Sequence, residues 1–219
     1  EGTLCSRVPE QFEAGKFYIQ VPDTRLAYKA LAAWYRTQFH IPFIQITGSV
    51  GKTTTKEMIA AVLSEHGKVL WTEGNFNNDI GVPKTLLRLS PEHRAAVIET
   101  GMNHFGEISR LTRAVAPTVG LITNIGVSHI ENLGSRAGIL QAKLEILEGM
   151  APDAPLIVNM DNDMLRTVKL GDRPLLTFAI DDQSADFTAT DIAEQGSTTT
   201  FTVHHSTFTR PVTIPTVGI

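Results

Sequence analysis

With one cysteine in 219 residues, Cys5, the chain can make no internal disulfide and no cysteine-based zinc site, which fits a reducing, cytoplasmic setting. There is no excess of basic charge. Nineteen Lys and Arg stand against 23 Asp and Glu, a formal net charge of -4, so no global positive field exists to hold a nucleic acid backbone or an anionic membrane. Any anion site must therefore be local. The longest stretch without Asp, Glu, Lys or Arg, Ala114 to Ile130, is broken by Pro117, Gly120, Asn124 and Gly126, so it reads as strand and loop and not as a membrane span. The opening EGTLCSRVPEQFEAG has no apolar core of a signal peptide and begins with Glu1 instead of Met, which reads as a piece of a longer polypeptide. There is no internal repeat and no low-complexity tract. What is there is globular: 42% hydrophobic against 19% charged residues, enough to bury roughly 70 to 75% of the unfolded surface.

Residues 16–21 read as a short strand and Thr24 to Phe39 as a helix whose Leu26, Ala30, Ala33 and Trp34 recur near helical spacing, ended by Pro42. From there strand-length apolar runs trade places with helical patterns: PFIQIT, KTTTKEMIAAVLSEHG, KVLWT, VPKTLLRL, AAVIET, GEISRLTRAV, VGLITNI, RAGILQAKLEILEGM, PLIVNM and DMLRTV. Parallel strands need crossover connections, which helices usually supply, so the alternation predicts an α/β fold, a mostly parallel sheet flanked by helices. After about Leu175 the runs LLTFAI, DFTATDIA, TTTFTVHH and FTRPVTI, with turn candidates at Gln195-Gly196 and His205-Ser206, predict an antiparallel strand extension. Val217-Gly218-Ile219 adds no closing helix or charge cluster.

The strongest local signal is Thr47-Gly48-Ser49-Val50-Gly51-Lys52-Thr53-Thr54, between the strand PFIQI and a helix expected to bury Met58, Ile59, Val62 and Leu63. Strand, glycine turn and helix are the context a phosphate-binding loop requires. Glycines let backbone N–H groups converge on phosphate oxygens, the helix N-terminus adds its positive end, Lys52 reaches the β and γ phosphates, and the Thr53 hydroxyl can ligate Mg²⁺. Ile46 stands where the common G-x-x-x-x-G-K-[ST] pattern has its first glycine, so a shorter variant of the loop fits better than a generic kinase or GTPase loop. The bland reading is a glycine-rich turn with an exposed lysine.

Ligands gather outside the carboxyl ends of the strands in such a sheet. Glu99 ends AAVIE and His129 follows VGLITNIG, so both can face the loop's crevice, where a carboxylate and an imidazole suit a divalent cation. Position alone leaves a solvated Glu99 and a surface His129 equally open. Lys143 falls inside the apolar arc of the helix predicted over Gly138 to Met150, with Ile139, Leu140, Leu144, Ile146 and Leu147, while Gln141, Glu145 and Glu148 lie opposite. Such a lysine snorkels, pairs with an acid or has a changed charge state. In a cation site it must either pair with phosphate or become a carbamate, whose oxygens can ligate a metal.

Together TGSVGKTTTKEM, GNFNNDIGVPKTLLRL, VIETGMNHFGEISRLT, ITNIGVSHIENLGS and QAKLEIL resemble the central ATP-binding domain of the Mur ligases, and among them the branch that joins D-alanyl-D-alanine to UDP-N-acetylmuramoyl-tripeptide. The resemblance covers nearly the whole chain. It implies that 1–40 are the end of an N-terminal substrate domain and its linker, that 41–219 are the central domain, and that a C-terminal domain is absent. It further implies that Thr47 to Thr54 and Asn78 bind ATP, that Lys52, Glu99, His129 and Lys143 are catalytic, and that Thr53, Glu99, His129 and a carbamylated Lys143 serve two Mg²⁺ ions. Asn75 and Asn77 match the same polar loop, where contact and loop-shaping turns are both open; His104 receives no role. The implied reaction is ATP-driven amide formation through an acyl phosphate, in a cytoplasmic monomer of the peptidoglycan pathway, and this piece alone is expected to be inactive. A folylpolyglutamate synthase-like or other Mur-type ligase, and a non-catalytic nucleotide-binding module, are the competing readings.

Overall fold

The structure is a computed structural model that describes residues 2–215; Glu1 and residues 216–219, which include the closing Val217-Gly218-Ile219, lie outside the described residues. A small parallel pair, β1 (Gly2–Cys5) and β2 (Phe17–Gln20), precedes α1 (Thr24–Arg36). The main domain then runs β3 (Phe43–Thr47), α2 (Lys52–Ser64), β4 (Val69–Trp71), α3 (Gly81–Leu86), β5 (Ala95–Glu99), α4 (Glu107–Val115), β6 (Val119–Ile122), α5 (Ile130–Leu133), α6 (Arg136–Leu144) and β7 (Leu156–Asn159). It ends with β8 (Leu175–Ala179), β9 (Phe187–Gln195), β10 (Thr198–His205) and β11 (Phe208–Ile214). The nine-stranded sheet has the order β11-β10-β9-β8-β7-β6-β3-β5-β4. Strand β3 lies between β5 and β6, so the chain winds outward from it both ways and opens a crevice at its carboxyl end.

Strand alternation decides what each face covers. On β3 and β5, Ile46, Ala95 and Val97 pack with Ala60 of α2, whereas Phe43, Ala96 and Ile98 pack with Ala32, Leu86 and Leu111 of α1, α3 and α4. Glu99 shares the parity of Ala95 and Val97, so it emerges on the α2 side. Both faces are covered, which is why β5 is buried at every position. Each fully buried Ile or Leu here contributes about 2–3 kcal/mol, and Phe43→Ala, which also opens a cavity, would cost about 3–5 kcal/mol.

Four expectations need correcting. Helix α1 ends at Arg36, and its inward residue is Ala32, while Leu26 and Trp34 are exposed; Asp23 fixes its start by accepting from Arg25 N (2.8 Å) and Leu26 N (3.0 Å), and packing on α3 and α4 rotates it away from the face its apolar residues suggested. On α2, Met58 and Val62 are exposed, and the fully buried positions are Lys56 and Ala60. The helix carrying Lys143 tightens into a 3₁₀ turn at Glu145–Gly149, so Glu145 swings to accept from Gly106 N (2.7 Å) and Ser109 N (3.1 Å) at the start of α4. Strand β8 is parallel to β7, and β9 is parallel to β8; antiparallel pairing begins only between β9 and β10. The β8–β9 pairing joins only Phe178 to Phe187 and Ala179 to Thr188, the end of one strand to the start of the next, so no long crossover is needed.

Candidate functional site

The loop after β3 is built for close approach. Gly48 has φ +156° and a Cβ there would sit 1.9 Å from Thr123 Oγ1, so no other residue fits without moving the loop. Gly51, φ +79°, caps α2 without any side-chain hydrogen bond, leaving the first N–H groups of the helix for an anion. The loop is fastened by the residues that follow β6. Asn124 Oδ1 accepts from Ser49 N (3.1 Å) and Val50 N (2.9 Å), Thr123 Oγ1 donates to Val50 O (2.6 Å), and Gly126 N donates to Ser49 Oγ (2.9 Å). The Lys52 amine curls back to Gly48 O at 3.0 Å. Just beneath, Thr47 Oγ1 and Gln45 Oε1 are buried with no hydrogen-bond partner.

Beside the loop opens a cleft of about 410 Å³, whose walls include Gly48, Lys52, Asn78, His129 and Lys143. Five predicted residues from separate elements thus face one hollow. Glu99, buried, and Thr53, exposed, are not among the cleft's lining but meet each other: Thr53 Oγ1 donates to Glu99 Oε2 (3.0 Å), and Asn77 Nδ2, from the cleft wall, donates to Glu99 Oε1 (2.8 Å). A hydroxyl beside a carboxylate suits a hard divalent cation. The side chains of Val50 and Thr54 point to solvent, so any contact there belongs to the backbone. Asn78 Oδ1 is occupied by Ile80 N and Gly81 N, a loop-shaping turn at the start of α3. His129 heads α5 with φ +65°, a left-handed conformation unusual outside glycine.

Lys143 is 3% exposed and makes no ion pair among the described residues. Burial, and then the nearby charge of Lys52, push its amine down to about 7. Neutral and charged forms are therefore comparably populated near neutral pH, the condition in which an amine can add to CO₂. Neither the snorkelling nor the acid-paired alternative describes it. No group of three His, Cys, Asp or Glu side chains able to hold a metal occurs among the described residues, so a cation here would need Thr53, phosphate oxygens or a modified lysine in its shell.

Sequence reasoning missed Asn124 and Thr123, which hold the loop's backbone, and Arg25 and Asp79, which line the cleft; Asn77, left open between contact and loop shaping, donates to the Glu99 carboxylate. Asn124 carried a usable signal, since it follows a strand's carboxyl end just as His129 does. It also missed Lys56, which lies in α2's buried stripe four residues after Lys52.

The family profile described as Mur ligase middle domain matches residues 46–219. The chain is similar to the UDP-N-acetylmuramoyl-tripeptide--D-alanyl-D-alanine ligase of Escherichia coli, 45% identical over 200 residues that make up 90% of this chain and 44% of that protein. Among solved structures, MurF from Acinetobacter baumannii superposes with a TM-score of 0.88 at 37% identity, covering 98% of this chain and 47% of that one. MurF ligase from Thermotoga maritima, solved in complex with ADP, gives a TM-score of 0.84 at 25% identity, covering 96% of this chain and 48% of that one. The chain thus spans less than half the length of these relatives.

Proposed function

Because the chain belongs to the Mur ligase middle-domain family, we propose that it is the ATP-binding part of a ligase that joins D-alanyl-D-alanine to UDP-N-acetylmuramoyl-tripeptide. The observation that carries this is the convergence of Lys52, His129 and Lys143 on one cleft at the strand ends, beside a bonded Thr53–Glu99 pair. Residues 41–219 act as the central domain, and residues 1–40 as the end of the substrate domain and its linker. The adenine, the amine of the acceptor dipeptide and the uridine are bound with the help of segments beyond this chain, so the chain alone is inactive as a ligase. We assign the whole enzyme to the cytoplasm as a monomer. Among the described residues no helix is long and apolar enough to cross a membrane.

The chain's residues position and neutralise. The N–H groups of Gly51 to Thr54 and the Lys52 amine hold the phosphates of ATP, and Lys52 faces the oxygen that bears charge as the γ-phosphoryl group moves to the peptide carboxylate. The amine of D-alanyl-D-alanine then attacks the acyl phosphate and phosphate leaves. Two Mg²⁺ ions, when bound, supply charge neutralisation between two anionic reactants. Thr53, Glu99 and His129 are the side chains that would hold them, joined by Lys143 once its neutral amine has added to CO₂, forming an N–C bond and releasing one proton. The test uses the full-length enzyme: ATP-dependent phosphate release must require both the tripeptide nucleotide and D-alanyl-D-alanine. Equal release with glutamate or diaminopimelate in place of the dipeptide would assign another ligase, and binding of ATP without turnover would leave a nucleotide-binding module.

A further inference from the structure

Helix α2 carries a second lysine that the reaction does not use. Lys56 is fully buried, yet it occupies the inward stripe of the helix with Ala60, where an apolar side chain would be expected. Its amine donates to Thr72 O at 2.6 Å and lies 2.9 Å from Glu57 Oε1. Removing an ammonium from water costs several kcal/mol, and its carboxylate partner Glu57 is half-exposed and repays little of that, so stability alone gives no reason for a lysine at this position.

The reason lies in what Thr72 does next. The Thr72 hydroxyl accepts from Glu99 N at 2.9 Å, and the Glu99 carboxylate accepts from Thr53 Oγ1 at 3.0 Å. Lys56 and Thr53 sit three residues apart on α2, so two bonds from one helix reach the adjacent ends of β4 and β5 and close a ring. With both bonds made, α2 has one rotation about its axis, the one that turns the Thr53 hydroxyl onto Glu99. We propose that Lys56 is a positioning residue that presets the Thr53–Glu99 pair for a divalent cation, resting on the reading of that pair as the cation's holder. It touches neither cation nor nucleotide and acts through Thr72.

The test compares Lys56→Met with the unaltered full-length enzyme by calorimetry of ADP binding at a series of Mg²⁺ concentrations, and by thermal melting. A ring that presets the cation site predicts a melting midpoint lowered by a few degrees at most. The Mg²⁺ concentration for half-maximal enhancement of ADP binding rises about tenfold, while ADP binding without Mg²⁺ stays unchanged because Lys52 and the loop are intact. A folded Lys56→Met enzyme with the original Mg²⁺ dependence overturns the proposal. Should that variant not fold, Thr72→Val must show the same Mg²⁺ shift and Thr72→Ser must not; equal Mg²⁺ dependence in both overturns it as well. Failure of the unaltered enzyme to bind ADP at all overturns the nucleotide reading together with the proposal, whereas normal binding with unmoved variants overturns the proposal alone.

Discussion

The two ends of the large sheet are built on opposite principles. Around β3 and β5 the strands are covered on both faces, Ala95 to Glu99 are buried throughout, and several buried polar groups are tied to one another, Gln45 Nε2 to Thr100, Glu99 N to Thr72, Lys56 to Thr72, while Gln45 Oε1 and Thr47 Oγ1 have no partner. At the other end β11 is exposed at most positions, and its ring contacts are the Phe187–His205 stack (4.6 Å between centroids) with Phe208 beside it at 5.3 Å from His205. Polar atoms inside a covered sheet must be satisfied by fixed partners, and fixed partners make a rigid cleft wall. A half-exposed antiparallel ribbon can exchange its partners for water. Chemistry that depends on sub-ångström placement therefore belongs to the parallel end, and substitutions should separate the two ends by readout as well as by size.

The largest separation comes from Lys52. Lys52→Ala in the full-length enzyme removes the amine that faces the transferring phosphoryl group and should lower kcat by about 10³-fold or more, with melting temperature unchanged because Lys52 bonds only to loop carbonyls. Phosphate-release assays at saturating substrates check it, and turnover within tenfold of the unaltered enzyme would remove the loop from the reaction.

Lys143 sharpens the contrast by linking function to stability. Lys143→Ala should lose turnover, and part of it should return with added bicarbonate or small carboxylates that replace the carbamate oxygens. Its uncarbamylated amine is half-protonated near pH 7 in the folded chain and near pH 10.5 once unfolded. Between those values the unfolded chain binds more protons, so folding stability rises with pH across that window and the full penalty of the buried charge is felt below it. Measured where CO₂ is excluded, Lys143→Met should thus be more stable than the unaltered chain by about 2–4 kcal/mol at pH 6, and the gain should vanish toward pH 10.5. Denaturant melts across that range check it, and a pH-independent difference would mean that the amine is solvated.

Asn124 tests the anchoring itself. Asn124→Leu leaves Ser49 N and Val50 N without the Oδ1 that receives both, and should weaken ADP binding about tenfold through a loosened loop, with little change in kcat at saturation. Calorimetry with ADP decides it. An unchanged dissociation constant would show that the loop keeps its shape without the clamp.

The same division explains what could be read from residues alone. The β3–loop–α2 unit was legible because all its signals are local: an apolar run, two glycines at left-handed or strained positions, then Lys-Thr opening a helix. The inward aim of Lys143 was legible from helical spacing. The rotation of α1 and α2 was not, since Leu26, Trp34, Met58 and Val62 are apolar yet exposed, and tertiary contact chose the faces that bury Ala32 and Lys56. Strand-end position pointed Glu99 and His129 toward the crevice, although Glu99 is not among the residues that line the cleft, while Asn77, Asn124 and Thr72 act through bonds between residues 22 to 75 positions apart, which no spacing rule encodes. Strand direction at β8 and β9 was missed for a related reason: alternation predicts a strand, and only the register of its neighbour says whether the pair runs parallel.

The smallest expected effect lies in the ribbon and is the sharpest test of the contrast. Phe208 is 40% exposed, so Phe208→Ala gives up part of one ring's burial and its tilted contact with His205. That is worth about 0.5–1 kcal/mol, or about 1–4 °C in melting temperature for a domain of this size. The ring lies on the last strand of the sheet, separated by five strands from β3, so nothing in the ribbon can move Lys52 or Lys143 without first disturbing β6 to β10. ADP affinity and Mg²⁺ dependence should be unchanged while the melt shifts. A change in nucleotide affinity larger than the stability change would mean that the sheet transmits strain end to end, and the parallel half could no longer be treated as a rigid wall of its own.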